Sequence, residues 1–293
     1  MLRSSYISHR VPKRSGGWRE ILEPLPELKS LQRKVLSWLV ARRIVPGRHA
    51  HGFVRGRSIL THARLHAGRK VVIRLDIRDF FPSVSSAAIQ SCLIREGMQL
   101  SDARRVAELC TVDGVLPQGA PTSPFLANLS FKRIDLRLAA LAQKFRPEFP
   151  GAYSRYADDL VFSSDAPDWH VILHPVRKIV EDAGFKLHPR KTHVARSHVA
   201  QTITGLVVNH LPNVPREYRR NLRACLHNAR GRLLAGEPLE EDLQVLRGKA
   251  AFVHQVNSAL GRELLRRVED LEVMNRFARN PKRKEELRGG DHY

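Results

Sequence analysis

Ala152-Tyr-Ser-Arg-Tyr-Ala-Asp-Asp-Leu-Val-Phe-Ser-Ser164 places two adjacent carboxylates, Asp158 and Asp159, between two short β-prone runs. The flanks, residues 153–156 and 160–162, carry aromatic and branched side chains of the kind strands prefer. The Ala-Asp-Asp segment is then expected at the tip of a tight hairpin. Two like charges at such a turn repel each other unless a cation neutralises them, and a hard divalent ion with oxygen ligands does this best. Upstream, Val71-Val-Ile-Arg-Leu-Asp-Ile77 is an apolar run of strand length with a carboxylate, Asp76, close to its end. Such a run suits a strand buried on both faces. Asp76, Asp158 and Asp159 on neighbouring strand ends form a set able to hold two Mg²⁺ ions about 4 Å apart, the arrangement of two-metal phosphoryl transfer.

The charge balance names the class of partner. Fifty Lys and Arg against 29 Asp and Glu leave a formal charge of +21 over 293 residues. A surface this basic favours a polyanion, and nucleic acid is the default candidate. The basic residues are spread along the chain and form no single amphipathic helix, which argues against a membrane surface. No apolar run approaches the roughly 18 residues a spanning helix needs, and the start has no signal-peptide core, so a cytoplasmic protein is expected. Cys92, Cys110 and Cys225 are widely separated and odd in number, which suggests neither a disulfide framework nor a zinc knuckle.

The remaining pattern divides into mixed and purely helical parts. Strand, Gly-Gly turn and strand are read over residues 11–22, followed by a helix, and residues 47–70 read as irregular. Helical spacing occupies 86–96, 101–111, 125–144 and 169–183, and 201–208 reads as one strand. After Pro212 and Pro215 only helical stripes remain, and residues from about 280 onward read as frayed.

Four segments in this order resemble the reverse transcriptases. Leu75-Asp-Ile-Arg-Asp-Phe-Phe81 resembles their first metal-binding motif, and Leu116-Pro-Gln-Gly-Ala-Pro-Thr-Ser-Pro124 their template and nucleotide loop. Tyr156-Ala-Asp-Asp159 resembles the metal-binding hairpin, and Leu187-His-Pro-Arg-Lys-Thr192 the loop that brings a lysine to the triphosphate. The resemblance implies an α+β right-hand polymerase with fingers and palm over residues 1–210, the palm mainly 71–84 and 125–210. A helical thumb over 211–280 and a flexible basic tail over 281–293 would complete it. It implies metal binding by Asp76, Asp158, Asp159 and the Ile77 backbone. Nucleotide contacts would come from Lys13, Arg19, Ile77, Phe81, Gln118 and Lys191, with Phe81 as the ring that excludes a 2′-hydroxyl and Phe80 as its core neighbour. Lys191 would also donate a proton to pyrophosphate.

Two further segments point to the retron branch. Gln201-Thr-Ile-Thr-Gly-Leu-Val-Val-Asn209 resembles a Val-Thr-Gly motif, with Ile203 in the Val place followed by Thr204 and Gly205. His62-Ala-Arg-Leu-His66 resembles an Asn-Ala-x-x-His motif, with His62 departing from Asn. The resemblance implies RNA contacts at His62, His66, Ile203, Thr204, Gly205, Arg219 and Arg223. It also implies a structured noncoding RNA as template, a DNA copy primed from an RNA 2′-hydroxyl, dNTPs as substrates, and an effector protein in antiphage defence. A group II intron-like or CRISPR-associated enzyme, or an RNA-binding scaffold with an idle site, is the alternative.

Overall fold

The computed structural model describes residues 3–13, 16–239 and 242–279. The chain divides after Thr204 into two compact units, where the sequence pattern places the break after residue 210. The expected tail, 281–293, lies outside the described residues.

The first unit begins with an antiparallel hairpin, β1 (Tyr6–Pro12) and β2 (Trp18–Pro24), whose register sets Pro12 against Trp18. Helix α1 (Pro26–Ala41) follows, with proline in the first turn, where a missing N–H costs no hydrogen bond. A short helix, α2 (Ile59–Arg64), lies within the segment expected to be irregular. It is started by a reciprocal cap, in which Ser58 Oγ accepts from Thr61 N and Thr61 Oγ1 from Ser58 N. This is a capping box built with Thr in place of Glu or Gln, which explains why the usual signature is missing from the sequence.

A four-stranded antiparallel sheet carries the chemistry. Its order is β4-β5-β3-β6, with β3 (Val71–Asp76) between β5 (Asp159–Ser164) and β6 (His193–Arg196), and β4 (Ala152–Tyr156) on the edge beside β5. The sequence pattern assigns no element to the residues of β6; pairing to β3 makes them a strand. Helices α3 (Ser86–Arg95), α4 (Leu100–Cys110), α5 (Ser123–Lys144) and α6 (Leu173–Asp182) supply the packed layer. Ile73, Leu75 and Phe162 from the sheet join Leu126, Phe131 and Leu138 of α5 and Val176 and Val180 of α6 in one core. Strand β7 (Thr202–Ile203) ends this unit and β8 (Leu206–Val207) opens the next, so the expected continuous strand is interrupted. The interruption has a backbone cause: Thr204 and Gly205 take φ of 46° and 84°, outside the extended region.

The second unit contains α7 (Arg216–Leu234), α8 (Asp242–Val256) and α9 (Ser258–Arg279). The helical stripes are buried at Leu222, Leu226, Ala229 and Leu233, then Leu243, Leu246, Ala250 and Val253, then Leu264, Val268 and Leu271, while Tyr218, which opens the first, is half-buried. Buried Asn275 clamps the connection before α8, accepting from Leu239 N at 2.8 Å and donating to Leu239 O at 2.9 Å.

Under the β4–β5 hairpin lies a polar core that no local pattern announces. The Arg155 side chain is fully buried and forms a two-point ion pair with buried Asp135 of α5, Nε to Oδ1 at 2.9 Å and Nη2 to Oδ2 at 2.8 Å. Tyr153 Oη donates to the same carboxylate at 2.6 Å. Arg155 Nη1 donates to Asn128 Oδ1 at 2.9 Å and to Ala157 O at 2.8 Å, and the guanidinium lies over the Phe131 and Phe80 rings. Beside it, His62 and His66 are buried in contact with each other, and His62 also meets His51 and Tyr156. His66 shares hydrogen bonds with Ser163 Oγ through Nδ1 and Ser154 Oγ through Nε2, each 2.7 Å, which a neutral ring satisfies.

Breaking the ion pair from one side would leave a buried charge alone. Arg155→Met is expected to lower unfolding free energy by about 3–5 kcal/mol in urea titration, whereas Arg155→Met with Asp135→Leu should recover much of the loss. Recovery failing in the double variant would show that the bonds to Asn128 and Ala157 carry the stability instead. The histidines set a pH dependence. Burial lowers the pKa of His51 to about 4 and of His62 to about 3, and holds His66 well below 6.5. A folded pKa below the unfolded one means the unfolded chain binds more protons as pH falls through 6.5. Stability should therefore be full above pH 6.5 and decline toward pH 4, by up to about 1.4 kcal/mol per histidine per pH unit. Thermal unfolding across that range checks this, and Ser substitution at His51 should flatten the slope.

Candidate active site

Antiparallel pairing of β3 with β5 sets Asp76 directly opposite Asp159. The hairpin joining β4 to β5 is a two-residue loop, Ala157 and Asp158, so Asp159 is the first strand residue and not part of the tip. Ala157 carries a φ of 56°, left-handed backbone that a non-glycine residue enters at a cost of about 1–3 kcal/mol. Three contacts hold it there. The Ala157 carbonyl accepts from buried Arg155, Ile77 N donates to Asp158 O at 2.9 Å, and Gly52 packs so closely that a Cβ would lie 2.6 Å from Ala157 N. The chain after Phe185 runs alongside, with His188 N donating to Asp76 O at 2.7 Å and Arg78 N to Lys186 O at 2.8 Å. Three segments far apart in sequence are thereby tied together by main-chain bonds.

The carboxylates are crowded and poorly hydrated. Burial, and then the charges of Asp158 and Asp76, push the Asp159 pKa up to about 6. Burial also raises Asp158, as does Asp76, against the pull of Lys191 and Arg19. The Lys191 ammonium sits 3.0 and 3.1 Å from the two Asp76 oxygens. Lys191 thus meets a carboxylate here, where the family resemblance implies a place near a triphosphate. Among the described residues no three His, Cys, Asp or Glu side chains converge as a finished metal site. The donor set nevertheless suits a hard divalent cation: all oxygen, partly desolvated, and mutually repelling in its absence.

These groups face a cleft of about 980 Å³ in the first unit. Its lining brings together Lys13, Arg19, Asp76, Ile77, Phe81, Gln118, Asp158 and Lys191, residues drawn from five separate sequence segments. Asp159 is absent from the lining and sits behind Asp158 and Asp76. Gln118 is placed by its own backbone, whose carbonyl accepts from Leu22 N at 2.7 Å. Gly119 then has to be glycine: its φ is 125°, and a Cβ would lie 2.5 Å from Leu22 O. Phe80 is buried against Phe131 and Phe185 while its neighbour Phe81 remains half-buried at the cleft wall. Two cleft aromatics were not found from sequence, Trp18 and Phe53, both exposed. For Phe53 the available signal was a bulky ring directly after Gly52 in an otherwise polar segment.

The expected RNA contacts fare differently. His62, His66 and Ile203 are fully buried, so a direct contact from these side chains is corrected to a place in the core. His62 lies on α2 with its ring tilted against Tyr156, 5.7 Å between centroids. Thr204 is half-buried at the turn into Gly205. In the second unit Arg223 is exposed on α7, as are Arg216, Arg220, Arg230 and Arg232, whereas Arg219 is half-buried.

Comparison with known proteins agrees with this geometry. Residues 11–217 match the family model described as reverse transcriptase (RNA-dependent DNA polymerase). The chain is 40% identical to the retron Mx162 and retron Mx65 reverse transcriptases of Myxococcus xanthus, over 91% and 89% of its length, and 29% identical to the retron Ec86 reverse transcriptase of Escherichia coli over 90%. It spans 61% and 64% of the two Myxococcus proteins and 79% of the third. Among solved structures, telomerases from Candida albicans and Candida tropicalis superpose with TM-scores of 0.51 and 0.52 at 9% and 10% identity. The alignments cover 93% and 91% of this chain and 60% and 58% of those chains, a likeness of fold alone. With Asp76 paired to Asp159 under an Ala157-Asp158 turn and a family match across most of its length, the chain belongs to the reverse transcriptase family and is of the retron type.

Proposed function

We propose that this chain is the RNA-directed DNA polymerase of a retron. It would copy part of a cognate structured noncoding RNA into single-stranded DNA, starting from the 2′-hydroxyl of a guanosine in that RNA and leaving a branched RNA–DNA product. The observation that carries the polymerase reading is the cross-strand placement of Asp76 against Asp159, beside Asp158, in a cleft lined by Lys13, Arg19 and Lys191. The retron reading is supported by the similarity to the Myxococcus enzymes and by the Ile203-Thr204-Gly205 segment.

Asp76, Asp158, Asp159 and the Ile77 carbonyl would hold divalent cations, in our reading two Mg²⁺. When bound, these would polarise the attacking hydroxyl and neutralise charge on the departing pyrophosphate. The protein's own groups orient the substrate. Lys13 and Arg19 grip the triphosphate from the β1–β2 hairpin, and charge-assisted bonds suit that pairing. Gln118 lies against the nucleotide or its template base, and Phe81 closes the space beside C2′ so that dNTPs are favoured. Lys191 compensates Asp76 and holds a proton within reach of the leaving group. Exposed arginines of α7 would hold RNA by phosphate and shape, and His62, His66 and Ile203 would support RNA recognition from within. The biological setting we infer is antiphage defence with an effector protein, in the cytoplasm. No helix among the described residues is long and apolar enough to cross a membrane.

Asp158→Asn and Asp159→Asn should each lower DNA synthesis at least about a hundredfold while RNA binding persists, since several kcal/mol of transition-state charge stabilisation is removed. Primer extension alongside an RNA gel-shift measures both, and retained synthesis would remove the two-metal assignment. RNA affinity should fall by about 10³–10⁵ between 50 and 200 mM salt if six to ten phosphates are contacted. A flat salt response would argue against a phosphate-dominated interface.

A further inference from the structure

We propose that Phe53 is a specificity residue of the nucleotide site, whose ring braces Phe81 from the solvent side and sharpens the choice of deoxyribose over ribose. This rests on the reading of Phe81 as the sugar-discriminating ring.

Phe53 is unusual in two respects at once. Its φ is 60°, a backbone conformation in which the Cβ of an L residue crowds its own carbonyl and which a bulky side chain rarely adopts. The residue is also 57% exposed, so burial returns little for that crowding. Strained backbone held at a cleft wall is a pointer to function. The strain is imposed by neighbours already described. Gly52 is pressed against Ala157 N, where a Cβ would sit 2.6 Å away, and the Gly52 carbonyl accepts from Asn128 Nδ2 at 2.9 Å. Asn128 Oδ1 in turn accepts from Arg155 Nη1. One buried guanidinium therefore sets both the carboxylate hairpin and the position of Phe53.

That position matters for Phe81. The Phe81 ring has the buried Phe80 ring 5.6 Å away on its core side and the exposed Phe53 ring 6.3 Å away, tilted by 51°. Phe53, Phe81, Asp76 and Gln118 line the same cleft. A ring that rejects one hydroxyl does so only if it cannot swing aside. Phe80 limits that movement from the core, and Phe53 is a second ring against Phe81, supplied by a different segment.

The test is single-nucleotide extension of a DNA primer on an RNA template, comparing kcat/KM for dGTP and GTP in wild type, Phe53→Gly, Phe53→Tyr and Phe81→Ala. Phe53→Gly should lower the dGTP:GTP ratio by about three- to tenfold, the worth of one aromatic pair, through increased ribonucleotide use. Its Tm should hold, because glycine takes this φ without crowding. Phe53→Tyr should keep the wild-type ratio. If Phe81→Ala relaxes the ratio and Phe53→Gly leaves it at the wild-type value, the bracing role is overturned and the Phe81 reading stands. A parallel fall for both nucleotides with Phe53→Gly also overturns it, making Phe53 a general wall of the site. If neither variant moves the ratio, both readings fall.

Discussion

The buried pair of Arg155 and Asp135 is the constraint on which the rest of the first unit depends. A guanidinium taken fully out of water must have its donors satisfied, and here Asp135, Asn128 and the Ala157 carbonyl do so. Such a pair adds little net stability compared with an apolar replacement, because desolvation offsets the attraction. What it adds is position. Its bonds run from α5 to the tip of the hairpin and, through Asn128, to the loop at Gly52. The strained backbone at Ala157 and at Phe53 is therefore held from one point in the core.

Around that point the molecule concentrates charge of both signs. Asp76, Asp158 and Asp159 are brought together by strand pairing and by main-chain bonds from Ile77 and His188. Their mutual repulsion and desolvation raise the cost of leaving them without a counter-charge, and Lys191 supplies part of it from a segment more than a hundred residues away. The same all-oxygen arrangement would suit a hard cation, and Lys13, Arg19 and Lys191 line the cleft beside it. The net charge of the whole chain, +21, would favour a polyanion without specifying its sequence.

The histidines show a different use of polar residues. His66 bridges the serines of two adjacent strands, and His62 fills the space behind Tyr156. Burial keeps them neutral, so they act as packing that can hydrogen-bond. Any influence of the His62 to His66 segment on RNA recognition is exerted through the hairpin and α2, since the rings do not reach the surface.

The three carboxylates and the basic composition were legible in the residues themselves, because a carboxylate closing an apolar run and paired Asp residues between β-prone flanks need no knowledge of distant neighbours. Gln118 and Phe81 were reached only through the family resemblance, and the fold places both on the cleft wall. Helix α2 was missed because its capping box uses Thr61, and the 201–208 strand was broken by the φ values of Thr204 and Gly205. By itself the sequence determined the family and the fold class, because both rest on short segments whose order along the chain is their signature. Only tertiary structure decided that His62 and His66 are core, that Lys191 rests on Asp76, and that Phe53 stands beside Phe81. Burial and proximity belong to pairs of residues far apart in the chain, and no local pattern encodes them.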